Sequence, residues 1–141
     1  MSILGISAGF HDAAVSVVSN TGDILFAGHA ERYSKIKNDP HLNSELMREV
    51  SDYDIDTIAY YERPWAKQLR RLYSGEGIEW NKLTVKSIIK SQVDAAFTSI
   101  DSVLTYNHHL SHAAAGFQTS PYNDAVVVVI DAIGEWDTAT I

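Results

Sequence analysis

Ser2-Ile3-Leu4-Gly5-Ile6-Ser7, Ala8-Gly9-Phe10-His11-Asp12, Ala13-Ala14-Val15-Ser16-Val17-Val18-Ser19, Asn20-Thr21-Gly22-Asp23 and Ile24-Leu25-Phe26-Ala27-Gly28 follow one another without a gap. Three apolar runs separated by two short polar or glycine-containing breaks read as strand, turn, strand, turn, strand. The second break is the stronger turn signal, because Asn and Gly tolerate positive φ. Three antiparallel strands therefore open the domain.

Beyond these strands, Glu31-Arg32-Tyr33-Ser34-Lys35-Ile36-Lys37-Asn38-Asp39 reads as a loop dense in functional groups, and Pro40 opposes a helix through that point. Residues 44–50 predict a short helix with Ser44 as N-cap and Met47 and Val50 facing inward, followed by a strand over 57–61. Residues 63–80 form an amphipathic pattern ending near Gly75 and Gly77. Its Arg63, Lys67, Arg70 and Arg71 read mainly as a solvated helix face, and Trp65 as a packing anchor. Val85, Ile88, Ile89, Val93, Ala96 and Phe97 give a helix over 84–97, and 102–105 a brief strand. A helix over 108–117 follows. The β-branched run 125–130 predicts a strand buried on both faces, and 138–141 begins another. The order βββαβαβαβ predicts an α/β domain with a mixed sheet and helices packed on its faces. Neither repeat nor linker divides the chain, so 1–141 reads as a single domain. Its ending inside a β-rich run predicts a fragment of a longer protein.

The 141 residues are 45% hydrophobic, enough for one packed core. Eighteen acidic against 11 basic side chains give a net charge of −7, which argues against a broad grip on nucleic acid. With no cysteine, disulfides, thiolate metal sites and a cysteine nucleophile are excluded. The apolar runs are too short for a membrane helix, and the N-terminus lacks the basic residues of a signal peptide, so a cytoplasmic protein is expected.

Three of the six histidines lie in Asn107-His108-His109-Leu110-Ser111-His112. On a helix His108 and His112, at i and i+4, share a face and can converge on one cation, whereas His109 points elsewhere; a hydrogen-bonded structural pair is the other reading. Asp131 follows the 125–130 run. With the two histidines it would complete a two-histidine, one-carboxylate set suited to iron, manganese or zinc; alone it would cap the turn through Gly134. The turn after the first strand offers Ser7 and Gly9 as a cradle for phosphate or carbamoyl oxygens. There His11 can act as a general acid or base with Asp12 orienting it, or the segment is a plain hairpin turn. Arg32, Lys35 and Lys37 can hold an anionic substrate or form a solvated surface.

Taken together, the first block Ile3 through Ala14, the block Glu31 through Asp39, His108-His109-Leu110-Ser111-His112-Ala113-Ala114 and Asp131-Ala132-Ile133-Gly134-Glu135-Trp136 resemble the O-carbamoyltransferases of nodulation-factor and antibiotic biosynthesis. The family's proteins are several times longer, so the resemblance covers an N-terminal part. It implies a ribonuclease-H-like lobe of the actin-like or sugar-kinase-like ATPase fold. It also implies transfer of a carbamoyl group from carbamoyl phosphate, through a carbamoyl-adenylate made with ATP, to a hydroxylated small-molecule acceptor. His11 matches the family's candidate catalytic base, and His108, His112 and Asp131 match its metal ligands. This chain has Asn38 where Lys-His-Asp is common, and Ala132-Ile133 where Gly-Val is usual. The expected partners are C-terminal domains or a separate subunit, with a homodimer allowed and neither nucleic acid nor membrane expected. The alternatives are a non-catalytic nucleotide-binding or docking module of the same fold and a relative of the tRNA threonylcarbamoyl-modification enzymes. By itself the chain is expected to be inactive.

Overall fold

A computed structural model describes the chain except residues 11, 91, 93–96, 98, 99, 101 and 133. The three opening strands are β1 (Ser2–Ser7), β2 (Ala14–Ser19) and β3 (Ile24–His29), paired antiparallel in turn with Leu4 opposite Val17 and Val17 opposite Phe26. Gly22, at φ 91°, makes the second turn and donates its amide to the Ser19 carbonyl at 3.0 Å. β4 (Ile55–Tyr60) then pairs parallel with β1, and β5 (Ser102–Thr105) parallel with β4, giving the sheet order β3-β2-β1-β4-β5. The chain is thus a mixed α/β structure built on a five-stranded mixed sheet.

The period-2 alternation places Leu4, Ile6, Val15, Val17, Ile58 and Tyr60 on one buried face. Leu46, Met47 and Val50 of α2 (Ser44–Val50) and Val85, Ile88 and Ile89 of α4 (Val85–Ile89) pack in the same core. The α2 cap is Asn43, whose side-chain oxygen accepts the Leu46 amide at 2.8 Å; Ser44 is already inside the helix. The expected 84–97 helix is seen as α4, closed at its start by a Thr84–Ser87 capping box, while most of its second half lies outside the described residues.

Residues 31–39 are not wholly loop. Ala30–Ser34 is a short helix, α1, continuing directly from β3, with acidic Glu31 in its first turn and Lys35 ending it in the left-handed region at φ 61°. α3 (Pro64–Tyr73) starts on a proline at its first position, where a missing amide hydrogen costs no helical bond. After the 3-10 turn Trp80–Lys82 and α4 comes α5 (His108–Gln118), capped by Asn107 onto the Leu110 amide.

The run 125–130 is the main departure. Only Val129–Ile130 (β6) is strand, and it pairs with Ala139–Thr140 (β7) in a separate two-stranded sheet. Val126 and Ile130 are each 80% exposed rather than buried on both faces. A β-branched run encodes a preference for burial, but here no second layer of described residues covers it. No described helix is long and apolar enough to cross a membrane.

Candidate metal centre

β1, β4 and β5 run parallel, with Ile6 beside Tyr60 and Tyr60 beside Thr105, so their C-terminal ends lie at one edge of the sheet. The segments that follow them begin at Ala8, Tyr61 and Tyr106. This edge is where open α/β sheets gather ligands. Asp131 arrives from the β6–β7 hairpin rather than from a strand of the main sheet.

Here the histidine pair and the aspartate meet. His108 Nε2 lies 2.9 Å from Asp131 Oδ2 and 3.1 Å from His112 Nε2, and the three donor atoms all fall within 4.8 Å of one another. Two ligands held about 2.1 Å from one ion at right angles are about 3.0 Å apart, so the two short separations already suit a shared cation. His108 is buried, Asp131 half-buried and His112 exposed, so the trio is walled on the His108 side. A cleft of about 280 Å³ opens beside His112 and Asp131, bounded by Gly116 and residues 127–130.

The surroundings shift the members of the trio in different directions. A hydrogen bond to Glu62 holds the His108 imidazole above the usual histidine value against the opposing effect of burial, with Asp131 adding to the rise. Burial first, and then the neighbouring His108 charge, push His112 down, favouring the neutral ring that offers a lone pair. Burial pushes Asp131 up, but the Ala132 amide and His108 outweigh it and leave the carboxyl below its ordinary value. Burial, then the charge of Glu62, drive the Tyr61 phenol upward; its ring stands edge-on to His108.

Two glutamates missed in the sequence frame the site. Glu62 is fully buried, with Lys67 Nζ 3.2 Å from each carboxylate oxygen and His108 Nδ1 3.4 Å from Oε2. Glu135, also buried, accepts from the Arg63 amide at 2.5 Å, from Arg63 Nε at 2.8 Å and from the guanidinium terminus. Arg63 and Lys67 therefore point into ion pairs, correcting the reading of a solvated face. Trp65, half exposed beneath Arg63, is not a packing anchor. For Glu62 the available signal was position: it follows a parallel strand at the edge where ligands collect.

The remaining candidates are arranged differently. His11 lies outside the described residues, while Asp12 is half-buried at φ 49°. The Gly9 amide donates to the Pro40 carbonyl at 2.9 Å, so it is engaged within the protein. Ser7 lines a groove of about 480 Å³ over β1–β3 that contains Tyr61 but none of the trio. Arg32, Lys35 and Lys37 are exposed, the Lys35 ammonium donates to the Arg32 carbonyl, and no hydrogen bond or ion pair among the described residues joins them to the trio. His109 turns away as expected, with Nδ1 3.0 Å from Thr140 Oγ1.

Residues 57–141 match the family described as Carbamoyltransferase N-terminus, and this chain belongs to that family. The match takes in β4 from Thr57 onward, Glu62 and Glu135 with their partners Arg63 and Lys67, and the whole trio. Among relatives, the uncharacterised protein sll1178 of Synechocystis sp. is 30% identical over 99% of this chain and 26% of its own length. The nodulation protein NolNO of Sinorhizobium fredii is 28% identical over 89% of this chain and 20% of its own length. The chain thus spans about a quarter or less of the curated relatives it matches.

Proposed function

We propose that this chain supplies the cation-holding lobe of a carbamoyltransferase that moves a carbamoyl group from carbamoyl phosphate, by way of a carbamoyl-adenylate made with ATP, to the hydroxyl of a small-molecule acceptor. The observation that carries this reading is the convergence of His108, His112 and Asp131 within a chain of the carbamoyltransferase N-terminus family. The order β3-β2-β1-β4-β5, with β1, β4 and β5 parallel, supports a ribonuclease-H-like lobe of the actin-like or sugar-kinase-like fold. ATP as co-substrate fits a cytoplasmic protein.

His108, His112 and Asp131 would hold iron, manganese or zinc, which as a Lewis acid would polarise carbamoyl or phosphate oxygens. In this reading His11 accepts the acceptor hydroxyl proton as the acceptor oxygen bonds to the carbamoyl carbon. The bond from that carbon to the adenylate oxygen breaks, and AMP leaves with the electron pair. Asp12 orients His11. Ser7 and Gly9 line the turn that approaches the carbamoyl group, and Arg32, Lys35 and Lys37 counter anionic charge on the incoming substrate. The remaining contacts would come from further domains or a separate subunit.

The test is transfer of label from carbamoyl-labelled carbamoyl phosphate, with ATP, to a panel of hydroxylated acceptors by the whole protein. Labelled carbamate ester that disappears in the His11→Ala and Asp131→Ala variants is the expected result. Label transfer unchanged by both substitutions would overturn the assignment.

A further inference from the structure

We propose that Glu62 is the positioning residue of the cradle: held by Lys67, it orients the His108 ring so that Nε2 faces His112 and Asp131. The inference rests on the cation reading above and adds a residue outside the ligand set. A carboxylate taken wholly out of water is costly unless specific partners compensate, and Glu62 is 0% exposed. Lys67 and His108 are such partners, and the Tyr61 phenol also bonds its side chain. Lys67 Nζ lies 3.2 Å from both oxygens, and His108 Nδ1 faces Oε2. An ionised carboxylate can only accept, so this contact asks the ring to donate through Nδ1–H, and with a cation present that leaves the Nε2 lone pair aimed at the trio.

The surroundings make the arrangement stiff. The Lys67 ammonium also sits 3.3 Å from the centre of the Phe10 ring, so both its attractions hold it at the sheet edge. The neighbours of Glu62 grip the same two pieces of structure. The Tyr61 carbonyl accepts from Ser111 Oγ at 2.6 Å, fixing the first turn of α5, and Arg63 holds Glu135 four residues beyond Asp131. One tripeptide thus registers the histidine helix against the aspartate hairpin. Ligating histidines commonly donate their second N–H to a carboxylate, and loss of such a partner costs about 10–100-fold in metal affinity.

The test compares wild type, Glu62→Gln and the double variant Glu62→Leu/Lys67→Met, each checked for folding by circular dichroism. The double variant leaves no buried charge unpaired, so it removes the acceptor without the penalty of a lone ion. Zn²⁺ affinity is measured by calorimetry, and exchange of the ring N–H protons is followed by proton NMR of the Co²⁺-loaded chain. The expected result is about 10–100-fold weaker Zn²⁺ binding in the double variant, with loss of one slowly exchanging ring N–H signal. Glu62→Gln, whose amide oxygen still accepts, should keep that signal and most of the affinity. Equal affinity and equal N–H exchange in wild type and double variant would overturn the positioning role while leaving the cradle standing. Wild type that takes up none of Zn²⁺, Co²⁺, Fe²⁺ and Mn²⁺ would overturn the cradle and this role together.

Discussion

Arg63 grips Glu135 three times, through its backbone amide, its Nε and its guanidinium terminus, across 72 residues of sequence. The pair fastens the segment after Asp131 to the start of α3. Its partners are unequally exposed: the Arg63 side chain is 35% accessible and that of Glu135 1%. Removing the Arg63 side chain leaves the buried Glu135 carboxylate with the backbone amide but no countercharge, whereas removing Glu135 leaves a cation that water can reach. We expect Arg63→Ala to cost about 3–5 kcal/mol, and Glu135→Ala distinctly less, in urea unfolding. Equal costs would show that the pair is hydrated.

Tyr60 connects the site edge to the opening turn. Its phenol, raised out of the ordinary range by burial and then by the charge of Glu62, stays protonated and donates to the buried Ala8 carbonyl. Tyr60→Phe leaves that carbonyl without its partner, and the expected loss is about 1–3 kcal/mol of stability. Chemical denaturation of the two proteins checks this.

Much of this arrangement is legible in the sequence. The opening strands were readable because alternation and the Asn20-Thr21-Gly22-Asp23 turn are local signals, and His108 and His112 because a spacing of four is a helical neighbour relation. Glu62 and Glu135 were not. Each is an ordinary glutamate in sequence, and what buries it is a basic partner whose direction depends on how α3 leaves β4. The 125–130 run misleads for a related reason: β-branched composition encodes a demand for burial, not the presence of the layer that would meet it. Asn43 displaced Ser44 as a cap because both are good cap residues one position apart.

Gly134 is pressed against the histidines. A Cβ there would lie 3.0 Å from His109 Cδ2 and 3.2 Å from His108 Cδ2. Gly134→Ala must therefore move one ring or the hairpin, with an expected cost of about 1–3 kcal/mol and weaker metal uptake. Thermal melts with and without Zn²⁺ should show a lower Tm and a smaller metal-induced rise than wild type.

Asp39 makes the fold acid-sensitive at the opening turn. The Ser34 hydroxyl, then the His41 amide at 3.0 Å, hold its carboxyl below the ordinary 3.8. Its stabilising contribution is full above that value and is lost as pH falls through the lower folded-state value. The same segment accepts the Ala13 amide through the Asp39 carbonyl and the Gly9 amide through Pro40. Tm measured against pH should fall more steeply below about pH 4 in wild type than in Asp39→Asn; parallel curves would remove Asp39 from the acid response.

In this reading His108, His112 and Asp131 form one cation site within this chain. Calorimetric titration of Fe²⁺, Mn²⁺ and Zn²⁺ into the folded chain, beside His108→Ala, His112→Ala and Asp131→Ala, tests it directly. The expected result is one site per chain for at least one of these ions, lost or severely weakened by each substitution. A folded wild-type chain that binds none of them, or substitutions that leave binding intact, would contradict it.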